Sequence, residues 1–85
     1  MHPVTPFWFK QRQCRLETAA EPGMLRVTGP NLAEAFLQVE LSPEQRWQAR
    51  LRLAPAGPDV ATAEAVSAPA AWHLAFELYR SCLVV

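Results

Sequence analysis

Proline and glycine divide this chain into pieces too short for most architectures. Turn signals stand at Glu21-Pro22-Gly23, Gly29-Pro30-Asn31, Ser42-Pro43-Glu44 and Pro55-Ala56-Gly57-Pro58. Proline sets φ and removes an N–H donor, and glycine supplies the positive φ of tight turns. The segments between these signals have hairpin length, so their apolar periodicity decides what they become. A chain of 85 residues makes one domain, and without an internal repeat it is not a solenoid.

Two segments alternate as half-buried strands do. Cys14, Leu16 and Thr18 share one side against Gln13, Arg15 and Glu17, and Leu25 and Val27 resume the pattern after Glu21-Pro22-Gly23. Pro then Gly in that turn suits type II geometry, which predicts a hairpin. Arg46 to Leu53 alternates most cleanly, with Trp47, Ala49, Leu51 and Leu53 opposite Arg46, Gln48, Arg50 and Arg52. Residues 32–41 carry two periodicities. Asn31 and Glu34 resemble a capping box, and Leu32, Ala35, Phe36 and Val39 have helical spacing. Ala35, Leu37, Val39 and Leu41 also alternate. Pairing Leu41 with Trp47, Val39 with Ala49 and Leu37 with Leu51 matches inward residues throughout, which favours a strand preceded by a helical turn near 31–34.

Residues 54–71 are rich in Ala and Pro, and Val60, Thr62, Glu64 and Val66 alternate with Ala61, Ala63 and Ala65. A further strand or an extended connector both fit, since alanine is a poor strand former. The last segment predicts a helix. Ser67 or Ala68 caps it, Pro69 lies in its first turn, and Trp72, Ala75, Phe76 and Tyr79 form an apolar stripe widened by Leu78, Cys82 and Leu83. The expected fold is α+β: an antiparallel β-meander of about four to five strands packed on one face by a single C-terminal α-helix. Residues 1–11 are expected to be an extended aromatic arm, and 12–85 the two-layer domain.

Charge and composition narrow the function. Eight Lys+Arg balance eight Asp+Glu, which argues against bulk electrostatic binding to nucleic acid or anionic lipid. No apolar run is long enough for a membrane span, and the first ten residues lack a signal-peptide core, so a cytoplasmic location is expected. Two cysteines make no disulfide framework. Cys14, Cys82, His2 and His73 match no metal spacing, and Cys14 reads as a small buried hydrophobe rather than a nucleophile. No cofactor, metal or catalytic constellation is expected.

Two features point to a partner. Phe7, Trp8 and Phe9 are three aromatics in a row that cannot all face one core, so they are a candidate interface, for a second copy or another protein. A meander also leaves two edge strands that invite pairing. Seven of the eight basic residues are arginine. Arg15, Arg26, Arg46, Arg50 and Arg52, with Phe36 placed to stack, fall on the predicted uncovered sheet face and are a candidate anion or nucleic-acid surface. Glu17 and Glu40 share that face and can pair with them.

The run Arg46-Trp47-Gln48-Ala49-Arg50-Leu51-Arg52-Leu53, followed by Ala70-Ala71-Trp72 through Ala75-Phe76 to Tyr79, resembles the end of integrase arm-type and related DNA-binding modules. Those set a three-stranded sheet in the major groove and back it with one helix. The resemblance covers about half the chain and would make Arg46, Arg50 and Arg52 the base- or phosphate-contacting residues. The glycine-bounded third strand of such modules is not evident here. The expectation is therefore a non-enzymatic protein-binding or self-associating domain, with nucleic-acid binding through the arginine face as the second reading.

Overall fold

Short turns force consecutive strands to be neighbours, and the pairing follows chain order. A computed structural model describes residues 3–19 and 21–83. Its elements are α1 (Phe7–Gln11), β1 (Arg15–Thr18), β2 (Met24–Thr28), β3 (Ala35–Leu41), β4 (Trp47–Arg52), β5 (Asp59–Ala65) and α2 (Ala68–Leu83). The strands form one antiparallel sheet in the order β1-β2-β3-β4-β5. Leu41 lies opposite Trp47, Val39 opposite Ala49 and Leu37 opposite Leu51, the register expected from matched inward residues. The segment 59–65 is a strand and not a connector.

Each turn has a chemical cause. In the first, the Met24 N–H donates to the Glu21 carbonyl at 3.2 Å and Gly23 takes φ +73°. A Cβ on Gly23 would come within 2.6 Å of the Val39 carbonyl oxygen, so the turn lies directly against β3. In the second, the Leu32 N–H donates to Gly29 at 3.2 Å, with Asn31 at φ +58°. Pro30 and Asn31 thus make a β-turn where a helical turn was expected, because Pro followed by a residue tolerant of positive φ suits that geometry. Glu34 does not cap there; it approaches Arg26 at 3.6 Å. In the third, the Gln45 N–H donates to Ser42 at 3.0 Å and Gln45 adopts φ +66°. This is a three-residue hairpin loop with a left-handed last residue.

The β4–β5 pair contains a bulge. Leu51 faces Ala61 but Arg52 faces Asp59, leaving Val60 as the extra residue. The bulge brings the Asp59 carboxylate to the face that carries Arg52.

Helix α2 begins at a capped end: the Ala70 N–H donates to Ser67 Oγ at 3.3 Å and the Ala71 N–H to the Ser67 carbonyl at 3.0 Å. Pro69 in the first turn forfeits no hydrogen bond. The helix lies over β3, β4 and β5. Its Ala71 and Ala75 are fully buried, as is Ala49 on the sheet, and Ala61, Ala63 and Ala65 pack against the same core. Small side chains on both surfaces let helix and sheet approach closely, so the alanines of β5 serve packing rather than strand propensity. Tyr79, fully buried, donates its hydroxyl to the Ala33 carbonyl at 3.1 Å and ties α2 to the β2–β3 connection.

Several expected core positions lie at the margins. Leu53 falls beyond β4 and is exposed, as are Leu41 at the end of β3 and Thr18 at the end of β1. Cys82, placed on the α2 stripe by spacing, is exposed in the last turn of the helix. The segment expected as an extended arm holds helix α1 at Phe7–Gln11; Met1 and His2 lie outside the described residues.

Replacing Gly23 with alanine combines a left-handed backbone with a collision against backbone rather than a movable side chain. Gly23→Ala is expected to cost about 3 kcal/mol in urea denaturation; a loss within experimental error would mean that the turn can move off β3.

Candidate functional site

The aromatic triplet divides three ways. Phe9 is 3% exposed and meets Phe76 edge-on, with ring centroids 5.3 Å apart and planes at 68°. Trp8 is half-buried and stacks on Tyr79 at 6.2 Å and 11°. Its indole Nε1 is buried without a hydrogen-bond partner among the described residues. Only Phe7, 77% exposed, remains available to another molecule. Successive helical residues point about 100° apart, so helix α1 turns Phe9 and Trp8 onto the domain and Phe7 away. As an interface of three aromatics, the expectation is corrected: two of the three belong to this chain's own core.

The arginine face is also occupied, by acids of neighbouring strands. Arg26 lies 3.4 Å from Glu17 and 3.6 Å from Glu34. Arg46 approaches Glu64 at 3.6 Å. Arg50 meets Glu40 at 2.9 Å and Asp59 at 3.9 Å, and Arg52 meets Asp59 at 2.7 Å. The 3.6 Å approach to Glu34 leaves Arg26 Nε charge-paired but without a hydrogen bond. Most of these pairs are solvated, and each contributes ~0–1 kcal/mol. The most enclosed is Arg52–Asp59, where the hydrogen bond to Asp59 raises the guanidinium pKa further and desolvation opposes it.

Phe36 is not open for stacking. It is 7% exposed although it lies on the face away from α2. Arg26 and Arg52 are directly opposite it on the two neighbouring strands, and their aliphatic stems are long enough to cover it. Met24 and Gln38, opposite one another on the same face, are buried too. Arg15 stands apart at the β1 end, exposed and in no ion pair among the described residues.

The titratable groups near α1 are shifted by burial. The Cys14 thiol is pushed above its ordinary 9.0, chiefly by desolvation, with Arg12 opposing. The Tyr79 phenol is pushed above 10.0, first by desolvation and then by the nearby Cys14. A thiol held in its neutral form is a poor nucleophile. Among the described residues no helix is long and apolar enough to cross a membrane, and no three His, Cys, Asp or Glu gather as a metal group.

The two sheet edges differ, which the triplet and the arginines obscured at the level of sequence. Edge β1 has four residues, two of them Arg15 and Glu17. Edge β5 has seven residues and contains no Pro, Lys or Arg. Val60 and the residue just after β5, Val66, are exposed, Val66 at 90%. Comparison with protein-family models, curated proteins and solved structures finds no match to this chain.

Two measurements test this assignment. Phe9→Ala should cost about 3–5 kcal/mol as a large aromatic leaves the core, whereas Phe7→Ala should change stability by no more than about 0.5 kcal/mol. Equal effects in chemical denaturation would contradict the division of the triplet. The folded chain also holds the Cys14 and Tyr79 protons after the unfolded chain has lost them. The contribution of these two groups should therefore be full well below pH 9, where both states are protonated, and be lost as pH rises through 9.0 and then 10.0. In Cys14→Ala the onset should move toward pH 10.0, read from urea midpoints across the pH series.

Proposed function

We propose that this chain is a small non-catalytic binding domain that associates with a second copy of itself along β5. The observation that carries the reading is the undefended edge at Asp59–Ala65. Natural sheets blunt exposed edges with short strands, proline, lysine or bulges. Edge β1 is short and charged, while β5 has a bulge at its first residues only.

An antiparallel pair of β5 strands centred on Thr62 is chemically consistent. It sets Ala61 against Ala63 of the partner strand on the α2 side, and Val60 against Glu64 on the other, so like charges do not stand directly opposite. Helix α2 lies over β5 as well as β3 and β4. Phe76 turns toward α1, and Leu74 and Leu78 lie around the helix on the other side, half-buried. A strand edge alone falls short of the ~800 Å² per partner of a stable interface, and this leucine flank extends it.

Nucleic-acid binding through Arg26, Arg46, Arg50 and Arg52 is the weaker reading, because each of these cations already faces a carboxylate.

The test is the solution mass of the full chain beside Thr62→Glu. Thr62 lies opposite Arg50, so a glutamate there gains a cross-strand partner within one molecule. Across the proposed two-fold it meets its own copy. The native chain should be dimeric, and the variant monomeric with an unchanged or raised melting temperature. A monomeric native chain, or an equally dimeric variant, would remove the β5 interface.

A further inference from the structure

The positive charge that the sheet does not neutralise is gathered at the opposite edge. Residues 1–16 hold Lys10 and Arg15 on this side and no Asp or Glu, so all eight acids lie in the rest of the chain. Beside β1 is a cleft of about 820 Å³, lined by Lys10, Cys14, Arg15, Thr28 and Pro30 among others. Among the described residues neither Lys10 nor Arg15 makes an ion pair, in contrast with the arginines of β2 and β4.

We infer that this cleft binds a small phosphorylated molecule. A phosphoryl dianion matches the two cations that line this cleft, and the lining offers complementary donors. Arginine presents a planar fork, lysine a mobile point charge, and the Thr28 hydroxyl a further hydrogen bond. Among the described residues no carboxylate lines the cleft to compete. Cys14 adds no negative charge, since burial keeps its thiol protonated. The depression is open to solvent and has room for more than a bare phosphate, and Pro30 and Cys14 give apolar surface for an organic group.

The walls are held in advance. After α1 the Arg12 N–H donates to Trp8, the Gln13 N–H to Lys10 and the Cys14 N–H to Phe9, each at 3.0 Å. Gln13 takes φ +57°, and the chain then enters β1 at Arg15. Phe9 anchors this turn in the core. Lys10 and Arg15 are thereby set on one cleft by backbone that is itself hydrogen-bonded, which reduces the ordering cost of binding. The cleft adjoins β1 and the proposed self-association uses β5, so the two inferences stand or fall separately.

Calorimetric titration of the full chain at low ionic strength, with pyrophosphate and with ADP, tests the site. Saturable binding of one equivalent per chain is expected. Lys10→Gln and Arg15→Gln should each weaken it about tenfold or more, the size of one charge-assisted hydrogen bond. All three substituted residues are exposed, and circular dichroism checks that the fold is kept. Arg80→Gln, which removes an exposed cation in the last turn of α2, should leave binding unchanged. Absence of saturable binding, or an equal loss in Arg80→Gln, would overturn the proposal. So would equal binding of an acidic peptide, which would signify general attraction of anions. Tighter binding of a single-stranded oligonucleotide, growing with its length, would mean that the occupant is a nucleic-acid strand and would overturn it likewise.

Discussion

One helix cannot cover five strands. A sheet of this size is about 19 Å across, counting four strand spacings, and an α-helix with its side chains is about 10–12 Å wide. Helix α2 lies over β3, β4 and β5, and the apolar face of β1 and β2 needs another cover. Helix α1 adds Phe9 and Trp8 to the core that holds Val27 of β2 and Leu16 of β1, with Phe9 against Phe76 and Trp8 on Tyr79. Tyr79 is the hinge of the arrangement: it is stacked by α1, buried beneath α2, and hydrogen-bonded to Ala33 beyond β2. An N-terminal segment that reads locally as an arm is thus drawn into the domain by a deficit of cover elsewhere.

That deficit explains which parts of the fold were legible. The α+β meander, the β3–β4 register and the type II turn at Pro22-Gly23 follow from period-two alternation and turn chemistry, both of which are local. Helix α1 does not, because five residues are too few to show a period and the reason for the helix is width far away in sequence. The ambiguity of residues 32–41 has a similar source. Ala35, Phe36, Leu37, Gln38 and Val39 are all buried, so β3 lacks the alternation of a one-sided strand. Its outer residues are hidden under charged neighbours, and side chains that cover apolar surface with their stems while keeping their heads wet are not recognisable from hydropathy.

The candidate site was legible in composition and not in placement. Counting arginines found Arg26, Arg46, Arg50 and Arg52 on one face, as alternation required. Their partners come from four different segments: Glu17 on β1, Glu34 before β3, Glu40 on β3, and Asp59 and Glu64 on β5. Asp59 depends on the bulge at Val60, which shifts the register by one residue and is not announced by any Gly in β5. Arg15 looked equivalent to the others by parity, but sits where the sheet ends and, among the described residues, pairs with no acid.

The paired arginines bear on the β5 edge itself. Its two carboxylates, Asp59 and Glu64, are the charges that would make two such strands repel. Both are drawn sideways, Asp59 by Arg52 on β4 at 2.7 Å and Glu64 by Arg46 just before β4 at 3.6 Å. Neutralised within the molecule, they leave an edge of free backbone donors and acceptors flanked by small side chains, which is what strand addition requires. The same arginines that resemble a nucleic-acid surface in the sequence thereby fit another role: they cancel the charge of the strand beside them. Lys10 and Arg15, in no ion pair among the described residues, lie at the far edge of the sheet, where an anion from outside the chain would supply the partner that neighbouring strands supply to Arg26, Arg50 and Arg52.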